Sequence, residues 1–186
     1  MAQSLAAIYS LWGIWLVSWI AASVWSAPTV TRPQLESEFF YRLLTVAGAA
    51  ALFAAPPRWQ ASGDADSPAG WLLVVVAACG FLFAWWARIH LGKFWSGTVA
   101  RKADHRVIDT GPYRWVRHPI YSGIILSSYA TALAKGTPLA FVGATVMLAG
   151  WYAKASLEER FLRDELGPGA YDAYASRVPM LIPFLG

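Results

Sequence analysis

Charge is scarce in this chain. Only 14% of its 186 residues are Asp, Glu, Lys or Arg, against roughly 25% in a soluble globular protein, which is too few to coat a water-facing surface. Cysteine is scarcer still, with Cys79 alone in the apolar run 74–80. One thiol makes no internal disulfide and no Cys-based metal module, which excludes disulfide scaffolds, cysteine zinc sites and iron–sulfur centres. Common catalytic signatures are missing too: no GxxxxGK, GxGxxG, GxSxG or HExxH occurs, so phosphate loops, dinucleotide fingerprints, nucleophile elbows and HExxH zinc sites are absent. The three histidines, His90, His105 and His118, stand fifteen and thirteen residues apart. Neither interval is a helical ligand pair, and no metal is expected.

What the chain does have is hydrophobicity. Apolar residues make up 57%, eleven of them Trp, and the mean hydropathy is +0.42. A bilayer core about 30 Å thick takes about 20 apolar helical residues. Runs at 5–25, 39–55, 71–89, 119–134 and 138–153 read as about five transmembrane helices. The first has no basic flank and no small-x-small cleavage site, so it reads as a retained span, not a signal peptide. The last two are joined only by Lys135, Gly136 and Thr137, a turn that forces an antiparallel helical hairpin. The expected fold is an all-α integral membrane protein of one domain, with three N-terminal spans in 1–92 and the remaining 93–186 carrying the chemistry.

The net charge of +4 is explained by topology before nucleic acid need be considered. Five spans leave only Arg58 and Lys135 in loops on the N-terminal side, and place twelve Lys and Arg on the other, with Arg42 at the end of the second run. The positive-inside rule then sets the N-terminus outside and puts both the long polar loop and the C-terminal segment on the cytoplasmic face. No nucleic-acid partner is expected.

Of twenty-six charged residues, seventeen fall in 93–117 and 154–177. Overlapping the first and running past it is HRVIDTGPYRWVRHPIYSG, residues 105–123. Gly111-Pro112 and His118-Pro119 force turns or extended backbone, and Pro119 suits the first turn of the fourth helix. His118 then sits at a helix N-terminus that favours an anion, with Arg114, Arg117, Tyr113 and Tyr121 adding donors. Irregular polar backbone at membrane level is tolerated where protein buries it or where it lines a cavity. The second segment, KASLEERFLRDEL at 154–166, reads as a separate amphipathic helix whose stripe is Leu157, Phe161, Leu162 and Leu166. Glu159 with Arg163, and Arg160 with Asp164, read as i, i+4 pairs of a solvated face. Glu158, with Phe161 and Leu162 above it and Lys154 a turn below, reads as the carboxylate turned inward. Trp12, Trp15 and Trp19 form a stripe along the first span, read as helix packing or lipid contact. Trp25, Trp59, Trp71 and Trp151 read as an interfacial belt.

The 105–123 motif, the Glu158-Glu159 pair before a Leu-Gly break, and YDAYASRVPMLIPF at 171–184 together resemble the isoprenylcysteine carboxyl methyltransferases and their phospholipid methyltransferase relatives. The resemblance covers 105–184; the first three spans match in hydropathy alone. It implies an S-adenosylmethionine-dependent methyltransferase whose cofactor pocket is lined by His105, Arg106, Val107, Ile108, Tyr113, His118, Pro119, Ile120, Tyr121 and Glu158. By the same resemblance a lipid or prenylated acceptor, such as a modified protein C-terminus, enters from the bilayer. Lys154 falls where the family places a basic residue beside the substrate, usually Arg, and Lys lacks the bidentate contact that Arg gives a carboxylate.

On this reading Arg117, Glu158 and Lys154 carry the chemistry, Arg117 meeting the cofactor carboxylate and the adenine stacking among Tyr113, Trp115 and Tyr121. Carboxyl O-methylation of an isoprenylcysteine-like acceptor needs no base, because a carboxylate is ionised near neutral pH. A phospholipid amine would need one, from Glu158, Glu159 or His118. A small thiol is a further acceptor class. The sterol reductases, with a similar hairpin and a nicotinamide cofactor, are a weaker resemblance because they are much longer. A non-enzymatic membrane component, binding anionic lipid through its basic loop, is the remaining alternative.

Overall fold

A computed structural model of the chain describes residues 3–25, 29–31, 35–58, 67–92, 95–96, 101–102, 108–166 and 168–183. Six helices dominate it: α1 (Gln3–Ala21), α2 (Leu35–Ala54), α3 (Pro68–Leu91), α4 (Pro119–Lys135), α5 (Pro138–Leu166) and α6 (Pro168–Ala175). Each expected apolar run lies on one of the first five. Among the described residues, two helical stretches, Gln3–Val24 and Pro68–Leu91, are long and apolar enough to cross a membrane. A short antiparallel ribbon, unforeseen in the sequence, pairs β1 (Thr29–Thr31) with β2 (Arg101–Lys102).

The starts and stops follow local chemistry. Ser67 caps α3, its Oγ accepting from the Gly70 amide at 3.3 Å, with Pro68 in the first turn. Pro119 opens α4, and Gly136, left-handed at φ 64°, closes it before Pro138 opens α5. One boundary differs from expectation. The fifth apolar run and the amphipathic segment 154–166 form a single helix of 29 residues, about 43 Å long at 1.5 Å per residue. The change from apolar to charged residues at Lys154 alters which medium the helix suits, and leaves its hydrogen-bond ladder intact.

α2 packs along α5 and α3 along α4, and the α4–α5 hairpin joins the two pairs. Both pairs rest on bare glycines. A Cβ on Gly123 would collide with the Gly80 carbonyl oxygen, and one on Gly143 with the backbone of Leu52 and Gly48. The Trp stripe is an interior seam: Trp12 meets Phe53 and Phe81 edge-on and donates to Thr131 Oγ1 at 3.0 Å, Trp15 stacks on Phe81, and Trp19 meets Trp85 and Trp95 edge-on.

Two cations counted in the sequence as loop charges are buried helix clamps. Lys135 is 1% exposed, and its ammonium donates to the carbonyls of Leu52 and Phe53 at 2.7 and 2.9 Å, in the last turn of α2. Arg88 is fully buried at the end of α3. It donates to the carbonyls of Gly92 and Ala22 at 2.9 and 2.8 Å and lies 4.1 Å over the Trp95 ring.

The close approach of α3 and α4 gives a direct test. Gly123→Ala is expected to destabilise the protein by about 1–3 kcal/mol, read as a lowered Tm in detergent by circular dichroism. Gly13→Ala, where the added Cβ meets open space, leaves the Tm unchanged or higher.

Candidate functional site

The turn leading into α4 is built under α3. Gly111, at φ 59°, lies so close to the His90 ring that a Cβ would strike it. His90 bonds Thr110 Oγ1 at 2.9 Å and stacks on Tyr113 at 6.3 Å, so it is a satisfied structural histidine. Tyr113 is buried in a 3-10 helix (Gly111–Arg114), and the Tyr174 hydroxyl donates to its carbonyl at 2.6 Å. Burial, and next the Glu158 charge, push the Tyr113 hydroxyl up; burial does the same for Tyr174.

The Arg117-His118-Pro119 corner is held from two directions. From the C-terminal side, segment 175–181 presents a row of carbonyls. The Arg117 and His118 amides donate to Pro179 and Met180 at 2.9 and 3.1 Å. Arg117 Nη1 donates to Ala175 at 2.9 Å and to Val178, and Ser122 Oγ to Leu181 at 2.6 Å. From α5 comes Glu159. Its Oε1 accepts from Arg117 Nε at 2.7 Å and lies 3.1 Å from His118 Nε2, while Oε2 accepts from Arg117 Nη2 at 3.3 Å.

Glu159 therefore corrects the sequence reading. It is 3% exposed and belongs to the interior, although Arg163 does reach it, at 3.8 Å, as the i, i+4 spacing suggested. Arg117, expected to meet a cofactor carboxylate, gives hydrogen bonds from Nε and Nη2 to Glu159 and from Nη1 to two carbonyls.

The neighbouring carboxylate, Glu158, is the more open one, its side chain 30% exposed. Its Oε2 accepts from the Tyr121 hydroxyl at 2.8 Å and lies 3.9 Å from His118 Nδ1. The Tyr121 ring is sandwiched between His118 (5.3 Å, 6°) and Trp151 (4.9 Å, 22°). Lys154, buried one turn before Glu158, sets its ammonium 5.3 Å from the Tyr121 ring, 5.5 Å from Trp151 and 5.7 Å from Tyr41 of α2. Tyr41 Oη and Trp151 Nε1 are buried and make no hydrogen bond among the described residues, a condition that native interiors seldom leave uncorrected.

The structure thus brings His118, Tyr121, Lys154 and Glu158 into one cluster. Pro119 and Ile120 are buried beneath it, and Ile108 packs on the apolar core. His105, Arg106 and Val107 lie outside the described residues. The three aromatic rings expected to share an adenine belong to different stacks. Tyr113 lies on His90 and Tyr121 on His118, while Trp115 is 44% exposed, stacks on Phe83 and meets Trp86 edge-on. Sequence reasoning missed Tyr41, read Trp151 as part of an interfacial belt, and read Glu159 as a surface pair and a candidate base without its contacts to Arg117 and His118. Ala155, fully buried one turn before Glu159, is the small residue that marks this face as a helix contact.

Comparison with known proteins converges on this region. A protein-family profile described as "Isoprenylcysteine carboxyl methyltransferase (ICMT) family" matches residues 71–164, which takes in α3 as well as the corner and the hairpin. The chain is similar to "Protein-S-isoprenylcysteine O-methyltransferase B" of Arabidopsis thaliana, 31% identical over 88 residues, 47% of this chain and 44% of that protein. It is similar to "Probable protein-S-isoprenylcysteine O-methyltransferase" of Oryza sativa subsp. indica, 37% identical over 83 residues, 44% of this chain and 43% of that protein. It is also similar to "Methanethiol S-methyltransferase 2" of Bradyrhizobium diazoefficiens, 32% identical over 141 residues, 69% of this chain and 51% of that protein. The chain spans under half the length of these two plant relatives and about half of the bacterial one.

Glu159 gives the site a signature in acid. Burial alone would raise its carboxyl, but hydrogen bonds from His118 and Arg117 outweigh burial and hold it at about 2, against an ordinary 4.5. A depressed carboxylate stabilises the fold fully above its unfolded value and loses that contribution as pH falls toward the folded one, here about 3 kcal/mol between roughly pH 5 and 2. Thermal unfolding in detergent is expected to show the Tm falling across that window, with the slope reduced in Glu159→Gln.

Proposed function

From the premise that the chain belongs to the isoprenylcysteine carboxyl methyltransferase family, we propose that it is an S-adenosylmethionine-dependent membrane methyltransferase whose site is the His118–Tyr121–Lys154–Glu158 cluster. The observation that carries this is that Glu158, a partly open carboxylate bonded to Tyr121, and Lys154, a buried lysine among aromatic rings, flank the same Tyr121 side chain. The residues fit the cofactor's chemistry. Glu158 accepts hydrogen bonds from an ammonium or from hydroxyls, and Trp151 Nε1, which makes no hydrogen bond among the described residues, is a donor that an acceptor of the ligand would satisfy. His105, Arg106, Val107, Ile108, Tyr113, Pro119 and Ile120 complete the pocket on this reading.

When bound, S-adenosylmethionine supplies a methyl group already activated by a positive sulfur, so the protein's task is alignment and exclusion of water. The stacked rings of His118, Tyr121 and Trp151 make a rigid, dry wall, and Lys154 places a positive charge where an anionic acceptor approaches. That charge supports an acceptor that reacts as an anion: the carboxylate of an isoprenylcysteine-like lipid or prenylated protein C-terminus. Arg117 holds Glu159 and the corner in place and does not itself touch the reactants. A second reading, S-methylation of a thiol, has its own support. Lys154 is a point charge suited to a single anionic atom, and the methanethiol S-methyltransferase named above aligns with the larger share of this chain.

The same reading sets the protein in the bilayer as one multi-pass domain with five spans, α1 to α4 and the first half of α5, and with the N-terminus outside. The distribution of Lys and Arg supports that orientation. The polar half of α5, the corner and the site then lie at the cytoplasmic surface. Phe39, Phe40 and Leu43, exposed on α2 beside Tyr41, offer an apolar approach for a lipid-borne acceptor.

Purified protein in detergent is expected to bind S-adenosylmethionine, measured by calorimetry, with affinity lowered about tenfold in Glu158→Gln. With methyl-labelled cofactor, label should pass to a farnesylated cysteine, and Lys154→Met should reduce that transfer about a hundredfold. Transfer to an aliphatic thiol but not to the farnesylated cysteine establishes the second reading. Absence of both binding and transfer overturns the proposal.

A further inference from the structure

Two adjacent glutamates on α5 do different work at the same imidazole. Glu159 receives Arg117 and faces His118 Nε2 at 3.1 Å; Glu158 lies on the Nδ1 side at 3.9 Å. A carboxylate ionised at neutral pH can only accept, so the hydrogen in the Glu159 contact must sit on Nε2. In a neutral ring the lone pair is then on Nδ1. Turning the ring to exchange the two nitrogens would break the Nε2 contact with Glu159 and swing the imidazole edge against Tyr121, which lies parallel to it at 5.3 Å and 6°. The groups facing the ring are Arg117 and Tyr121 from its own segment and Glu158 and Glu159 from α5, with Arg163 behind Glu159.

We propose that Glu159 is a positioning residue that locks His118 in its Nε2–H form, so that Nδ1 stands beside the Glu158 carboxylate as a second acceptor. Two acceptors side by side recognise a ligand group carrying two N–H or O–H donors, and a ring in the wrong tautomer would place a donor against that group. Arg117 acts one step further back, holding Glu159 to the C-terminal carbonyls. Only the recognition step rests on the functional reading above. The tautomer lock is a property of the protein alone.

The test uses the full chain in detergent micelles without ligand, labelled with nitrogen-15 histidine. The chain has three histidines, and the His118 signals are identified by their loss in His118→Gln. At a pH where the ring is neutral, the wild type is expected to show a protonated, pyrrole-type Nε2 and an unprotonated, pyridine-type Nδ1. Glu159→Gln should give a mixture of tautomers, and Glu159→Asp, which restores the carboxylate, should recover the single form. Calorimetric binding of S-adenosylmethionine should weaken about tenfold in Glu159→Gln and return to within about threefold in Glu159→Asp.

An Nδ1–H ring in the wild type overturns the proposal. So does an unchanged Nε2–H ring in a Glu159→Gln protein that keeps its helical circular dichroism. The wild-type spectrum decides the first point alone, so a Glu159→Gln chain that does not fold leaves the proposal open to refutation. A tautomer that responds to Glu159 in a wild type that binds no S-adenosylmethionine supports the lock and refutes the functional reading.

Discussion

A carboxylate withdrawn from water, Glu159, is the point at which three separate parts of the chain meet. It grows from the middle of α5, receives Arg117 and His118 from the corner before α4, and through Arg117 reaches the carbonyls of Ala175 and Val178. A charge this deeply buried is tolerable only with full partners, and Arg117 supplies two bonds with the fork geometry that a carboxylate fits. Everything proposed for the site leans on that junction. The His118 ring is set by it, Tyr121 stacks on His118, Trp151 stacks on Tyr121, and Lys154 rests among their faces. Glu158, a single residue away on the helix, is left to look outward.

Much of the fold was legible because the signals are local. Length and continuity of apolar runs depend on nothing distant, and all five fall on helices. Gly136 and Pro138 act within a few residues, so the hairpin could be read directly. What escaped depends on partners far along the chain. Adjacent residues on a helix point about 100° apart, and which of Glu158 and Glu159 turns inward is decided by where the corner docks. The Leu157–Phe161–Leu162 stripe described the helix against a generic apolar surface, but its actual neighbour presents Arg117 and His118. Arg117 looked open because its acceptors lie about forty and about sixty residues later, and the later ones are backbone carbonyls that no residue type marks. Lys135 and Arg88 were counted as loop cations because sequence shows where a charge is but not whether a helix end needs it. The join between the two halves of α5 was read as a boundary from polarity, yet no proline or helix-ending turn interrupts 139–166.

The manner in which the C-terminal segment is recognised has a consequence for how this protein tolerates change. Arg117, His118 and Ser122 touch it through the oxygens of Ala175, Val178, Pro179, Met180 and Leu181, groups that every amino acid carries. Identity at those five positions is thus nearly invisible to the corner, whereas the count of residues between α6 and the last contact is not. Replacing one of those side chains with another that fills the same space against the core keeps every acceptor in place. Inserting or deleting one residue shifts the whole row of carbonyls out of step with its donors. The segment is read as a ruler and not as a word.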